Sequence, residues 1–267
     1  MGTGRGPILT SHDTGVHVHQ SSEYTLSLRI DAKSIDFDTM DRALGVVGTR
    51  QHIDRQPTRF GPALDHDQWE VEAEDMGSWF FDSIDDAFSS MAGEFLAPAV
   101  GHVATIEGLR AYWWCGCFHG ETPALTLISK RTLDLLGRSH SPIYLDTYYS
   151  PESDPDESET SFDETPDDVG DELPNHRYRF RLSDGESRLS EGEWGPYYED
   201  FSEGLELEIQ KLTTSVQPNG VRAGTIKKVV CEHVQSAFDG GPKLSAAHAN
   251  AIARLGLDMA ILWRTAE

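Results

Sequence analysis

The chain has few cysteines and few basic residues, and each scarcity excludes a class of protein. Its 267 residues include three cysteines and 22 lysines and arginines, against 45 aspartates and glutamates. A small, odd number of cysteines does not build the disulfide framework of a secreted protein, so a reducing compartment is expected. Without basic patches, the chain lacks the first feature of a nucleic-acid-binding protein.

Long apolar runs are also missing. No stretch approaches the roughly 18 apolar residues that a membrane-spanning helix needs, so the membrane is not an expected partner. The segment Met1–Gln20 has one basic residue, Arg5, and no apolar core, which does not fit a secretory signal peptide. These absences predict a cytoplasmic protein that binds neither membrane nor nucleic acid.

Negative charge is what the chain has in excess. The formal net charge is −23, which keeps a protein soluble and also attracts basic partners. Much of the charge lies between Ser150 and Asn175, where eleven acidic residues and four prolines occur without a lysine or arginine. Such a composition cannot offset the entropy of ordering, so residues 150–175 are predicted to be an acidic disordered linker.

The linker divides the chain into unequal parts. Residues 1–22, rich in glycine, serine, threonine and histidine, are predicted to be a disordered tail. Residues 23–149 are predicted to be a first α+β domain and residues 176–267 a second, shorter one. The chain length is enough for two domains of about 100 residues each. Each domain is expected to fold separately around its own hydrophobic centre.

The spacing of apolar residues predicts the elements of the first half. Alternation over Glu23–Ile30 is typical of a strand. Asp36 is expected to cap a helix that ends at Gly45, and Ser83 to cap a second one. The apolar stripe of that second helix is Ile84, Phe88, Met91 and Phe95. Further predictions are a strand around Trp69 and Val71, a strand over Leu109–Phe118, a helix from Ser129 to about Gly137, and a strand over Ile143–Tyr149.

The same order of elements recurs in the second half. A stripe of Leu205, Ile209, Leu212 and Val216 repeats the helix spacing 121 residues later, with an alternating strand at Tyr178, Phe180 and Leu182 before it. From the next strand onward the offset is 116, which aligns Cys115 with Cys231 and Ser129 with Ser245. A constant offset over several elements indicates an internal duplication. The second copy has no clear counterpart of the Asp36–Gly45 helix.

These features resemble the bacterial domain-of-unknown-function 4279 family. The resemblance rests on Ile35-Asp36, Leu44-Gly45, Pro57 and the strand Tyr144–Tyr148 in the first half, and on Leu244-Ser245 and Asp258–Trp263 in the second. It implies two tandem copies of a small α+β domain, the second shortened, and assigns no activity and no catalytic residue. The expected fold is therefore α+β, with two small two-layer sandwiches, each a mixed or antiparallel sheet with helices on one face.

Cys115, Cys117 and His119 are the candidates for chemistry. Residues i, i+2 and i+4 of a strand lie on one face, and two thiolates with an imidazole suit Zn²⁺ or a thiol nucleophile. Zinc sites more often use cysteines at turns, and paired cysteines also pack in cores as small apolar residues. No cofactor is assigned.

The acidic residues around Glu70 alternate with apolar ones, which favours the polar face of a strand over catalytic carboxylates.

Trp194, Tyr197 and Tyr198 form an aromatic segment among acids. Such residues are typical of a protein interface, although they also suit a cover over the shortened second domain.

The leading hypothesis is a non-enzymatic protein-binding module, in its most specific form an immunity-type protein that neutralises a basic toxin or nuclease. The alternatives are a hydrolase or metal-dependent enzyme that uses the Cys115, Cys117 and His119 face, and a structural or assembly module.

Overall fold

A computed structural model of the chain describes residues 22–55, 64–72, 80–91, 93–120, 123–149, 176–183, 194–215, 226–235 and 241–265. Within these ranges the chain forms six helices and ten strands, and the strands build two sheets. The predicted α+β class is confirmed. The predicted linker, and the predicted tail except for Ser22, lie outside the described residues.

The strands and helices have the following bounds. The strands are β1 (Ser22–Ala32), β2 (Thr49–Arg55), β3 (Leu64–Glu72), β4 (Arg110–His119), β5 (Ala124–Ile128), β6 (Ile143–Tyr149), β7 (Arg177–Ser183), β8 (Lys228–Gln235), β9 (Lys243–Leu244) and β10 (Asp258–Thr265). The helices are α1 (Phe37–Leu44), α2 (Ile84–Met91), α3 (Gly93–Val103), α4 (Lys130–Ser139), α5 (Phe201–Ser215) and α6 (Ala246–Arg254). No helix among the described residues is long and apolar enough to cross a membrane.

The helix caps lie where the sequence predicts them. The Asp36 carboxylate accepts a hydrogen bond from the Thr39 backbone N–H at 3.1 Å, and Gly45 ends α1 with a φ of 73°. Ser129 and Ser245 cap α4 and α6 in the same way. Each cap satisfies a backbone N–H that has no partner within its own helix, so the local sequence is enough to locate these helix starts.

The helix predicted over Ile84–Phe95 is wrong in its length. Helix α2 ends at Met91 and a new helix, α3, begins at Gly93 and contains Pro98. Glycine disfavours the interior of a helix, which explains a break at this point. Pro98 lies inside α3, where its missing N–H removes one backbone hydrogen bond of the helix.

Each sheet contains one strand from the other half of the chain. The larger sheet has the order β2-β3-β1-β4-β6-β9, and the smaller sheet has the order β5-β10-β8-β7. Both sheets are mixed, because β4 runs parallel to β6 and β8 runs parallel to β10. Strand β5 of the first half thus lies at an edge of the smaller sheet, and β9 of the second half lies at an edge of the larger sheet.

The two sheets repeat one pairing pattern. Trp113 of β4 lies opposite Ile143 of β6, and the residues 116 positions later pair in the same way in β8 and β10. The exchanged strands follow the same rule, since Ile143 lies opposite Leu244 and Met259 lies opposite Ile128. The strand register therefore agrees with the alignment at an offset of 116, while an origin by duplication stays a prediction.

Helix α2 of the first half and helix α5 of the second half align differently from the prediction. Backbone bridges place Phe81 and Tyr198 beside equivalent residues of β1 and β7, which gives an offset of 117. Ile84 therefore corresponds to Phe201 and not to Leu205. An apolar stripe on a helix recurs every three or four residues, so a shift by one turn preserves the spacing and the sequence does not distinguish the two alignments.

One hydrophobic cluster contains residues of both halves, including the fully buried Trp113 and Trp263. Helices α4 and α6 cross at Gly137, where an added Cβ would lie 2.9 Å from the Asn250 Cβ. The expected separate hydrophobic centres are not found in the described residues, because the exchanged strands join the two halves. The boundaries proposed for the two domains stay a prediction.

Each sheet has an inner face in this cluster and an outer face. On β4, Trp113 and Cys115 belong to the cluster, whereas the alternate residues Tyr112 and Trp114 do not. On β8, Cys231 belongs to it and its neighbour Glu232 does not. Alternation along each strand therefore assigns Trp114 and Glu232 to the outer faces.

Candidate functional site

The outer face of the smaller sheet carries a buried acidic residue between two arginines. Glu232 of β8 is fully buried, and its carboxylate accepts a hydrogen bond from Arg179 Nε of β7. The other carboxylate oxygen lies 2.9 Å from Arg264 Nε of β10. The hydrogen bond to Glu232 raises the pKa of Arg179 above its ordinary value. The two guanidinium groups offset the lost hydration of the buried carboxylate.

Trp194 and Tyr197 lie over these charged groups. The Trp194 ring is 4.7 Å from the guanidinium carbon of both Arg179 and Arg181, and the Tyr197 ring is 4.8 Å from that of Arg179. The Tyr197 hydroxyl donates a hydrogen bond to Glu232 Oε2 at 3.3 Å. Tyr197 nevertheless stays 50% exposed, so the cation–π contacts fix an aromatic side chain that still faces solvent.

The segment that carries these aromatics is tied to the edge strand β7. The Gly195 N–H donates a hydrogen bond to the Phe180 carbonyl at 2.9 Å, and Tyr198 forms an antiparallel bridge with Tyr178. The Tyr198 ring is half-buried and packs on Phe180, with ring centroids 6.0 Å apart. Of the three predicted interface residues, Trp194 and Tyr197 thus lie together on the outer face, and Tyr198 contributes to the core cover.

An apolar area continues this face towards β5. Val230, Ala260 and Leu262 are buried outside the hydrophobic cluster, and Leu127, which pairs with Ala260, is 48% exposed. Aromatic residues, arginines and an apolar centre together have the composition of protein interfaces. We name this set the Trp194 surface, and its members are Leu127, Arg179, Arg181, Trp194, Tyr197, Val230, Glu232, Ala260, Leu262 and Arg264.

The sequence predictions missed the charged part of the Trp194 surface. The available signal is the run Arg177–Arg181, in which three arginines alternate with Tyr178 and Phe180. Three arginines on one face of a strand are unusual in a chain with so few basic residues. A buried carboxylate on the neighbouring strand is the group that such an arrangement requires.

Cys115, Cys117 and His119 lie on the inner face of β4 and are buried. The two sulfur atoms are 4.0 Å apart, while His119 Nδ1 lies 2.9 Å from Ser22 Oγ. Across the described ranges, no three His, Cys, Asp or Glu side chains form a group that could hold a metal ion. Burial raises the pKa of the Cys115 thiol, which keeps it protonated and a poor nucleophile.

His119 instead belongs to a buried polar cluster where the two halves meet. The rings of His119 and His233 lie 5.9 Å and 5.2 Å from the Trp263 ring. The indole N–H of Trp263 donates a hydrogen bond to Thr126 Oγ1 of β5 at 2.8 Å. Burial lowers the pKa of His119 to about 4 and that of His233 to about 3, so both rings are neutral at pH 7.

The acidic strand β3 forms structural ion pairs. Glu70 is 5% exposed and lies 2.6 Å from Arg29 Nε of β1. Asp67 accepts a hydrogen bond from the Ile35 backbone N–H at 2.9 Å and pairs with His52. The ion pair of Glu70 with Arg29 supports the structural interpretation of this strand.

No family model, curated protein or solved structure matches the chain. The resemblance to the domain-of-unknown-function 4279 family therefore stays a prediction. The fold and the site define an α+β protein with two sheets that exchange strands and an aromatic–arginine surface on one outer face.

Proposed function

We propose that the chain is a non-enzymatic module that binds a basic protein, and that its specific form is an immunity-type protein which neutralises a basic toxin or nuclease. The observation that carries the proposal is the Trp194 surface. Tryptophan, tyrosine and arginine are the residues that most often dominate binding energy in protein interfaces. Here they are held in place by contacts within the chain, so little side-chain entropy is lost when a partner binds.

The attraction of a basic partner comes from residues outside the Trp194 surface. Within that surface, positive charge is in excess, because it contains several arginines and a single carboxylate, that of Glu232. The exposed acids Glu199, Asp200 and Glu203 follow directly in the chain, and the formal net charge is −23. Exposed acidic residues accelerate the encounter with a basic protein, and the aromatic contacts then slow its release.

The candidate catalytic groups support a non-enzymatic role. Cys115, Cys117 and His119 are each at most 2% exposed, which leaves a substrate no access to them. Burial also raises the pKa of the Cys231 thiol. A protonated, buried thiol does not act as a nucleophile.

A binding experiment tests the module. The immobilised chain, its Trp194→Ala/Tyr197→Ala double variant and an Ile106→Ala control are exposed to the same cell extract at low and high salt. Ile106 is a 46% exposed apolar residue outside the Trp194 surface. We expect basic proteins to be retained by the wild type and the control, to be lost from the double variant, and to bind more slowly at high salt. Equal retention by the double variant and the control contradicts the proposal.

The immunity-type form has a separate test. The captured protein is expressed alone and together with the chain, and growth of the host cells is measured. We expect the captured protein to inhibit growth and the chain to restore it, whereas the double variant restores it less. A captured protein that does not inhibit growth contradicts this form and leaves the binding module standing.

A further inference from the structure

The outer face of the larger sheet carries a second aromatic cluster. The rings of Phe118 and Tyr148 stack with centroids 4.9 Å apart, and Trp114 meets Tyr148 edge-on at 6.4 Å. Gly116 lies beneath them, and a Cβ added there would be 2.9 Å from the Phe118 ring and 3.1 Å from the Trp114 ring. The missing side chain thus allows the aromatic rings to converge on the sheet.

Asp146 of β6 lies in this cluster, and only one of its two carboxylate oxygens accepts hydrogen bonds from the described residues. Its Oδ2 atom accepts hydrogen bonds from Trp114 Nε1 at 3.1 Å and from the Tyr148 hydroxyl at 3.3 Å. Among the described residues, no donor is hydrogen-bonded to Oδ1. No lysine, arginine or histidine nitrogen within the same residues lies within 4.0 Å of the carboxylate. Asp146 is only partly buried, so this charge is accessible to an incoming group.

Other rings of the same face already bind cations of the chain itself. Arg29 lies 4.7 Å from the Trp114 ring, Arg110 lies 5.1 Å from the Tyr112 ring, and Lys243 lies 5.1 Å from the Tyr144 ring. Aromatic faces attract cations through their quadrupole. Asp146 adds a full negative charge to this arrangement.

We propose that Asp146, held by Trp114 and Tyr148, binds one lysine or arginine side chain of the basic protein partner. This inference rests on the proposed function. Trp114 and Tyr148 hold one carboxylate oxygen, and the other accepts a charge-assisted hydrogen bond from the ammonium or guanidinium group. Because the carboxylate is already oriented, little conformational freedom is lost on binding.

The test is an NMR titration of the full chain. The probes are the amides of N-acetyl-lysine and N-acetyl-arginine, with the amide of N-acetyl-norleucine as the uncharged control, and the signal is the Trp114 indole N–H. We expect both cations to shift this signal with millimolar affinity, roughly tenfold tighter than the uncharged probe. Asp146→Asn keeps an acceptor for Trp114 and Tyr148 but removes the charge, so it should abolish this difference.

A matched control is Asp134→Asn, in an exposed carboxylate on α4 that pairs with Arg138. It should bind the cations like the wild type, and thermal melting should show that both variants are folded. The inference is overturned if the uncharged probe or a neutral monosaccharide shifts the Trp114 signal as strongly as the cations do. It is also overturned if Asp146→Asn binds the cations as tightly as the wild type. The NMR titration and the extract experiment can also disagree. If the cations shift the Trp114 signal but the extract yields no basic partner, the cation site stands and only the proposed function fails.

Discussion

Among single residues, Glu232 is the one on which the Trp194 surface depends. Its carboxylate joins Arg179 and Arg264 from the two neighbouring strands and also accepts from Tyr197. Removal of one member of a buried ion pair leaves the remaining charges without a partner, which destabilises proteins strongly. Glu232 therefore influences both the stability of the smaller sheet and the position of the aromatic side chains.

Replacement of Glu232 by alanine is expected to lower the free energy of unfolding by roughly 3 kcal/mol. The loss stays near the lower end of the range for buried pairs because the side chains of Arg179 and Arg264 are 25% and 44% exposed and can regain water. Urea denaturation at pH 7 measures the change. Glu199→Ala, in an exposed acid, serves as the control, and equal stability of the two variants would refute the expectation.

The buried histidines predict acid sensitivity. Their pKa values, about 4 for His119 and about 3 for His233, lie below the usual value near 6.5, so the folded chain binds fewer protons than the unfolded chain. Folding stability is therefore complete above about pH 6.5 and falls as the pH drops, by up to about 1.4 kcal/mol per pH unit for each histidine.

Urea midpoints between pH 7.5 and pH 5 test this dependence. His119→Gln should lose stability less steeply than the wild type as the pH falls, because one of the two buried titrating groups is gone. His102→Gln, in an exposed histidine of α3, should follow the wild type. Parallel curves for the two variants would show that His119 does not cause the acid sensitivity.

At the level of helices and strands, features that depend on neighbouring residues could be predicted from the sequence. Features that depend on contacts between distant residues could not. Asp36, Ser129 and Ser245 mark helix starts through contacts within three residues, and the sequence locates all three. The break between α2 and α3 lies next to Gly93, and the helical spacing of the apolar residues, from which one helix was predicted, does not encode it. The one-turn error in aligning Ile84 with Leu205 has the same origin, because the stripe is unchanged by such a shift.

The crossing of α4 and α6 provides a prediction at this scale. Alanine favours a helix more than glycine by about 1 kcal/mol. Gly137→Ala should nevertheless destabilise the protein, by roughly 1–3 kcal/mol, because its Cβ would lie 2.9 Å from the Asn250 Cβ. A double-mutant cycle with Asn250→Gly, followed by thermal unfolding, measures the coupling. Additive effects of the two changes would exclude a steric cause.

For the whole molecule, the exchange of β5 and β9 decides how the chain folds. Residues 1–149 lack β9 and α6, and residues 150–267 lack β5 and α4. We expect neither fragment alone to give a cooperative unfolding transition, and the mixture of both to recover the near-ultraviolet circular dichroism of the intact chain. A fragment that unfolds cooperatively by itself would contradict this expectation.

The exchange lies beyond what the sequence could predict. Strand β9 has two residues, Lys243–Leu244, which is too short for a pattern. The alternation in Ala124–Ile128 is compatible with a strand in either sheet, and its pairing with β10 depends on residues more than 100 positions away. The Trp194 surface was anticipated through its aromatic residues, whereas Glu232 and its arginines come together only when three strands pair.

The strand exchange also has a consequence for the dissociation of a bound protein partner. The Trp194 surface and Asp146 lie on two sheets that are joined by the exchange of β5 and β9, so the fold sets the spacing between the two sites. For a partner that contacts both sites, this spacing is fixed before binding. The second contact then forms at a high effective concentration without any flexible connection to order. Release requires both contacts to open within the same interval, and a complex of modest individual affinities would therefore have a long residence time.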